Sequence, residues 1–366
     1  MAHSLVGTPI EDLDTPAMLV DLDAMDRNIA HIAAAAKSAG VNWRPHAKGH
    51  KSPAVAHRQI AAGAIGVTVA KVGEAEVFAT NGVRDILIAN QVIGPIKTRR
   101  LAALIAATGA DIAVAVDQAD NIRELDAAAA EFGVKPRVIV EIDTGMSRCG
   151  AAPGEETVAL SRQIASSPHL RFAGVMSWEG HAVSIPEHDL RHEVIDKAIT
   201  ALVGTAEACK TAGLPCEIVS CGGSGTYVNT LKYPGITEIQ AGGATMGDYF
   251  YIELESPTEA ALTLMAQVTS RPTKNRIILD CGRKTIDPTT RPPRPRGIEG
   301  VEKIGFSAEH CTIQLDHAQD APRPGDRVYF DIGYHDQALH LHEELFAVRN
   351  GKVVAVWPTL SRGKIR

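Results

Sequence analysis

Three absences narrow the field before any motif is read. The six cysteines (Cys149, Cys209, Cys216, Cys221, Cys281 and Cys311) include no pair at C-x-x-C spacing. That excludes a zinc ribbon and a thioredoxin-type redox site. There is no basic excess: 37 Lys and Arg stand against 43 Asp and Glu, a net charge of -6. The chain therefore lacks the electrostatic footprint of a nucleic-acid binder and the polybasic patch of a membrane anchor. No apolar run approaches the roughly 20 residues a membrane span requires. The opening Met-Ala-His-Ser has no charged-then-apolar leader. The expectation is a cytoplasmic protein with reduced cysteines, no nucleic-acid partner and no membrane partner.

What is present has two textures. From residue 17 to 245, short β-branched runs alternate with Ala-rich helical stretches. The first helix is expected over Leu22 to Ala39, with Met25, Ile29, Ile32 and Ala36 on one face. Eight strands are expected near 42–45, 64–69, 85–89, 111–116, 136–142, 172–176, 216–220 and 236–240. Helices fill gaps such as 96–107, 119–132, 156–167 and 188–212. Strict alternation implies a parallel sheet, and eight units in this length fit a (β/α)8 barrel. A doubly wound sheet is the alternative, but no G-x-G-x-x-G follows the first strand. From 246 to 366 helical periodicity fades into short strands broken by Pro and Gly, as in Arg291-Pro-Pro-Arg-Pro-Arg-Gly297. The predicted division is a barrel over 17–245 and a β domain over 246–366 together with 1–16.

A barrel carries its chemistry just after its strands. There the run Arg44-Pro-His-Ala-Lys48 offers a lysine suited to Schiff-base formation, because partial desolvation makes the amine nucleophilic. A basic surface loop has the same composition. The turns Gly222-Gly-Ser224-Gly225-Thr226 and Gly242-Gly243 follow the seventh and eighth strands, where barrels hold phosphate. Glycine lets backbone N–H groups approach an anion, and Ser224 and Thr226 add hydroxyls. Two such turns with one candidate Schiff-base lysine point to pyridoxal 5'-phosphate (PLP). Arg148 is a candidate for the cofactor's ring edge or for a plain ion pair. Trp178 and His181 are candidates for the cofactor's walls or for the core.

The chain resembles the fold-type III PLP enzymes, which share an alanine racemase-like barrel. Within them it is similar to the D-threonine aldolase and eukaryotic-type D-serine dehydratase group. The resemblance rests on Asp14-Thr-Pro16, Arg44-Pro-His-Ala-Lys48, Asp143-Thr-Gly-Met-Ser-Arg-Cys-Gly150, Glu179-Gly-His181, Gly222-Gly-Ser-Gly-Thr-Tyr227, Asp280-Cys-Gly-Arg-Lys284, Ser307-Ala-Glu-His310 and His340-Leu-His342. It covers nearly the whole chain in order. It implies a PLP-dependent lyase of β-hydroxy D-amino acids, with Lys48 carrying the cofactor. Gln91, Arg148, Trp178, His181, Ser224, Gly225, Thr226, Gly242 and Gly243 would line or hold it. It also implies a homodimer, and an N-terminal strand near Pro16–Val20 that completes the β domain.

The sequence departs from the family where metal is bound. Family members place a histidine two residues before an Asp or Cys. Here Tyr334-His335-Asp336 intervenes, with His340 beyond. His335 and Asp336 adjoin, so on a regular strand they would face opposite ways, and a bulge or turn is needed for them to meet. The expected ligands are His335, Asp336 and His340, for Mg2+, Mn2+ or Zn2+; with no metal, His335 would serve as the base. Trp178 stands where tyrosine is usual, and Ala244-Thr245 where an aromatic residue is usual. The rival readings are β-elimination from D-serine or 3-hydroxy-D-aspartate, an amino-acid racemase using Tyr334, and a PLP carrier without turnover.

Overall fold

The computed structural model describes residues 5–366. Strand β1 (Ala17–Asp21) leads into helix α1 (Leu22–Ser38), which the predicted apolar face matches: Met25, Ile29, Ile32 and Ala36 are buried. Eight parallel strands then alternate with helices. They are β2 (Asn42–Trp43), β3 (Val67–Val69), β4 (Asp85–Gln91), β5 (Asp111–Val116), β6 (Arg137–Glu141), β7 (Arg171–Met176), β8 (Ile218–Cys221) and β9 (Glu238–Ile239). The helices between them are α2 (Pro53–Ala61), α3 (Val72–Thr80), α4 (Pro95–Thr108), α5 (Ala119–Phe132), α6 (Glu155–Ser166), α7 (His188–Thr211) and α8 (Tyr227–Thr230).

The sheet order β2-β9-β8-β7-β6-β5-β4-β3 has β2 and β3 at its two ends. The chain leaving β2 joins them. Ile65 N–H donates to Trp43 C=O at 2.9 Å, and Ala47 N–H to Thr68 C=O at 2.7 Å. The result is a closed barrel, as the alternation predicts, and not a doubly wound sheet. β2 is shorter than the expected 42–45 because Pro45 has no N–H to extend a regular ladder. Leu87, Ala113, Ala115, Ile139, Ala173, Met176 and Ile218 pack together as a core cluster within it.

Charged residues lie where the strands begin. Asp85, Arg137 and Glu238 are each the first residue of a strand. Arg44, 1% exposed, donates to Glu238 at 2.9 Å and to Asp85 at 2.6 Å, and Arg137 also pairs with Asp85. A buried guanidinium is tolerated only when its donors are satisfied in this way. Arg44 thus fixes the chain near the start of the run that ends at Lys48.

Helix α9 (Tyr249–Ile252) precedes strands β10 (Leu262–Thr273), β11 (Arg276–Leu279), β12 (Arg294–Pro295), β13 (Val301–Phe306), β14 (Cys311–Leu315), β15 (Arg327–Asp331), β16 (Glu344–Arg349) and β17 (Lys352–Pro358). With β1 they form a nine-stranded sheet along β13-β14-β11-β10-β1-β16-β17, with β15 bonded to both β10 and β12. β1 runs parallel to β16 and antiparallel to β10, so the N-terminal strand lies inside this sheet. Two compact units result. One holds Ile32–Lys48, Ala56–Gly242 and Gly363–Arg366, and the other holds the chain up to His31, Gly49–Val55 and Gly243–Arg362. Among the described residues, no helix is long and apolar enough to cross a membrane.

Candidate active site

In the barrel unit the expected site residues fall at the C-terminal strand ends. Lys48 is half-buried, and its backbone N–H donates to His46 Nδ1 at 3.2 Å. Trp43 Nε1 donates to Ala241 C=O at 2.7 Å, tying β2 to the turn that carries Gly242. Gly242 has a packing reason of its own: a side chain there would begin 2.3 Å from the His46 carbonyl oxygen.

Gln91 and Arg148 meet on a residue the sequence reading passed over. Glu141, buried at the end of β6, accepts from Gln91 Nε2 at 2.7 Å, and Arg148 stands 3.4 Å from its other oxygen. Cys149 Sγ lies at 3.4 Å from that same oxygen. Its only signal in the sequence is an acid closing the apolar run Val138-Ile-Val140. The Arg148 side chain is half exposed, so this ion pair holds it loosely.

The turn after β7 is organised by Glu179. This fully buried carboxylate accepts from Gly222 N–H at 3.0 Å and from the Thr226 hydroxyl. Burial raises its pKa against those hydrogen bonds. Trp178 packs against Gly223, where a side chain would start 2.1 Å from the indole. His181 packs against Gly145, which adopts φ +125°. Gly222, at φ +75°, turns the chain in the left-handed region, where glycine carries no steric penalty. Ser224 and Thr226 are buried and Gly225 is half-buried. Thr144 Oγ1, Glu179 Oε2 and His181 Nδ1 are buried without a hydrogen-bond partner from the protein. Unsatisfied polar atoms gathered at barrel strand ends suit a polar ligand such as a phosphorylated pyridine.

In the other unit, His335 is 1% exposed and held at both nitrogens. Nδ1 lies 2.5 Å from Asp248 Oδ2, and Nε2 lies 3.0 Å from Asp336 Oδ1. Burial opposes its charge, but Asp336 and Asp248 outweigh burial and raise the imidazole to about 10. The segment is not a regular strand, and the turn that convergence requires is there. His335–Gln337 and Leu339–Leu341 are single 3-10 turns, and that curvature lets adjacent side chains converge. Tyr334 OH donates to Asp336 Oδ2 at 2.9 Å. His340 is exposed with Nδ1 3.2 Å from the Asp336 carbonyl oxygen, and His342 Nε2 lies 2.8 Å from the Thr285 carbonyl. Among the described residues, His340 does not complete a three-ligand cluster with His335 and Asp336.

Two glycines make room for the His335 ring. A side chain on Gly49 would begin 2.2 Å from His335 Nε2 and 2.5 Å from Asp336 Oδ1. One on Gly243 would begin 2.4 Å from Cε1, so this predicted cofactor glycine also seats the imidazole. His50, one residue further on, is equally buried; burial first, then repulsion from His335 and Lys51, lowers it to about 3. Asp248, Gly49 and His50 carried no sequence signal of their own, because their roles exist only once 243–250 and 333–342 are folded together.

Known proteins agree with this geometry. Residues 20–250 match the family described as alanine racemase, N-terminal domain, and 261–348 match a D-serine dehydratase-like domain. The chain is 33% identical to a D-threonine aldolase of an Arthrobacter species, covering 98% of this chain and 95% of that protein. The crystal structure of a D-threonine aldolase from Filomicrobium marinum superposes with a TM-score of 0.94 at 34% identity, covering 99% of both chains. A D-threo-3-hydroxyaspartate dehydratase, solved as a variant in the metal-free form, matches at TM-score 0.88 and 28% identity over 96% of this chain and 99% of its own. A barrel with a lysine at the end of its first strand, followed by a mostly-strand unit and matched at this level over the full length, belongs to the D-threonine aldolase and D-serine dehydratase group of fold-type III PLP enzymes.

Proposed function

We propose that this chain is a PLP-dependent lyase that cleaves β-hydroxy D-amino acids to glycine and an aldehyde, with D-threonine as its reference substrate and Lys48 as the cofactor lysine. One observation carries the reading. Lys48 is bonded to Gly49, and Gly49 lies against His335 Nε2 and Asp336 Oδ1. The residue proposed to carry the cofactor is thus next in the chain to the glycine that seats the pair proposed to hold the hydroxyl.

When bound, PLP supplies an electron sink for the bond broken at Cα. The unpartnered polar atoms of Thr144, Glu179 and His181 support such a ligand. Lys48, Gln91, Arg148, Trp178, His181, Ser224, Gly225, Thr226, Gly242 and Gly243 are the residues assigned to it. In this reading residues 17–245 hold the cofactor, and 246–366 with 1–16 hold the hydroxyl. Met1–Ser4 of that segment lie outside the described residues.

A divalent ion, Mg2+, Mn2+ or Zn2+, fits His335 Nε2 and Asp336 Oδ1. The two atoms lie 3.0 Å apart, as ligands of one ion do, and Asp248 orients the ring from behind. Such an ion would supply Lewis acidity at the substrate hydroxyl. The remaining work is the protein's own. It must bind the amino acid by one face, take the proton from the β-hydroxyl as the Cα–Cβ bond breaks, and return one to Cα.

A second reading, β-elimination to a keto acid, draws support from the dehydratase that shares this fold. The same residues serve both. Purified protein with PLP and a divalent ion should release glycine from D-threonine and none from L-threonine. Keto acid from D-serine or 3-hydroxy-D-aspartate, with no glycine from any substrate, would reverse the assignment. The family likeness also supports a homodimer, which sedimentation by analytical ultracentrifugation would test as a mass of twice the chain.

A further inference from the structure

Asp248 has no assigned role, yet both of its oxygens are committed. Oδ1 accepts the Tyr251 N–H at 3.0 Å and caps α9. Oδ2 accepts the His335 backbone N–H at 2.8 Å and faces its ring Nδ1 at 2.5 Å. A carboxylate acting only as a helix cap would need the first of these contacts. Holding one residue by backbone and ring together fixes the imidazole's place and its rotation about χ2.

The consequence falls on the far side of the ring. With its Nδ1 proton held by Asp248, His335 points Nε2 at Asp336 Oδ1, 3.0 Å away, where a bound cation would take the place of the Nε2 proton. Asp336 is held in turn, since Tyr334 OH binds its other oxygen at 2.9 Å. Gly49 and Gly243 leave no side chain against the ring's Nε2 and Cε1 edge. Every contact in the cluster therefore leaves one nitrogen and one oxygen facing each other.

We propose that Asp248 is the positioning residue that turns His335 Nε2 and Asp336 Oδ1 toward a shared divalent cation. This rests on the reading of that pair as the ligand pair. Asp248 touches neither cation nor substrate and acts through the imidazole, as an outer carboxylate does in metal sites built on histidine.

The test is a Mn2+ titration of the PLP-loaded protein, with free Mn2+ read by electron paramagnetic resonance. Asp248→Asn keeps the shape but gives up the negative charge. Asp248→Ser keeps a cap for Tyr251 N–H but gives up the ring contact. Both should weaken Mn2+ binding about 10- to 100-fold, with PLP absorbance unchanged. Wild-type affinity in either folded variant overturns the proposal, as does a wild type that binds no Mn2+. The wild type alone provides a second measurement, independent of whether the variants fold. In zinc-loaded protein, 15N-histidine spectra should show His335 protonated at Nδ1 and ligated through Nε2; a proton on Nε2 or ligation through Nδ1 overturns the proposal. If Asp248 passes both tests but no substrate yields glycine, the aldolase reading fails and the positioning role stands.

Discussion

The barrel unit and the β-rich unit solve the same problem, holding a polar residue in a buried place, by different means. In the barrel the candidate residues sit in segments that follow the strands, and Glu141 or Glu179 gathers its neighbours through hydrogen bonds. In the β-rich unit two adjacent residues on a 3-10 turn are made to converge, and Asp248 braces one of them from behind. The barrel tolerates this loosely: the Arg148 contact is 3.4 Å long and half exposed. The His335 cluster is close, with His335 and Asp248 buried, and a second buried histidine lies two residues beyond Lys48. Equal burial leaves these two histidines in different protonation states: at His50 burial dominates, aided by His335 and Lys51, whereas carboxylates at both nitrogens of His335 outweigh it. Burial by itself does not decide charge.

Lys48→Ala should separate the two units most sharply. It removes the nucleophile and should lower kcat by on the order of a thousandfold or more. Mass spectrometry after borohydride reduction should find no PLP adduct on the variant. An adduct on Lys51 or Lys71 in the wild type would move the cofactor site.

Asp336→Ala acts on the other unit. Activity with D-threonine should fall about a hundredfold, and chelation should take the wild type to the same level. PLP absorbance and melting should change little in both. Full activity in Asp336→Ala after exhaustive chelation would show that His335 works there as a base without metal. Gly49→Ala places a carbon 2.2 Å from His335 Nε2 and should lose metal binding while the Asp248 contact persists.

Glu141→Gln probes the barrel side. It exchanges a charged acceptor for a neutral one between Gln91 and Arg148. If both residues hold the cofactor, PLP affinity should drop roughly tenfold, about 1.4 kcal/mol, and Mn2+ affinity should not move. A change in Mn2+ affinity alone would place Glu141 with the wrong ligand.

The last effect falls on stability, not on cofactor or metal. His50 is neutral in the fold, with a pKa of about 3 against 6.5 for a free imidazole. Its folded value lies below its unfolded one, so its contribution is complete above pH 6.5 and is lost as pH falls toward 3. At pH 5 the loss is about 2 kcal/mol. His50→Gln should flatten the acid limb of a urea-unfolding series between pH 6.5 and 3. An unchanged slope would mean that His50 is not held neutral. His335 has the opposite sign, since its raised value stabilises the fold below pH 6.5 and is lost as pH rises through about 10.

Much of the barrel was legible in the sequence because its signals are local. All eight strand positions and the four named helices follow from periodicity, and the strand ends follow from the barrel's own geometry. Glu141 escaped because one acid at the end of an apolar run looks like a strand terminus. At 334–341 the need for a bulge or turn was legible from the adjacency of His335 and Asp336, but its form was not: the backbone curls into 3-10 turns packed against residues 243–251 and 49, distant in sequence.

By itself the sequence determined the alternation that closes the barrel, the lysine at the end of its first strand, and the glycine turns where polar atoms gather. These depend on residues within a few positions of one another, where periodicity and turn chemistry act directly. Only the tertiary structure decided that Asp248 stands behind His335, that Gly49 and Gly243 must lack side chains, and that of two equally buried histidines one is charged and the other neutral. Those outcomes depend on which charges and backbones are brought together across some 90 to 290 residues of chain, and low-dielectric packing makes each such neighbour count for more than any local propensity.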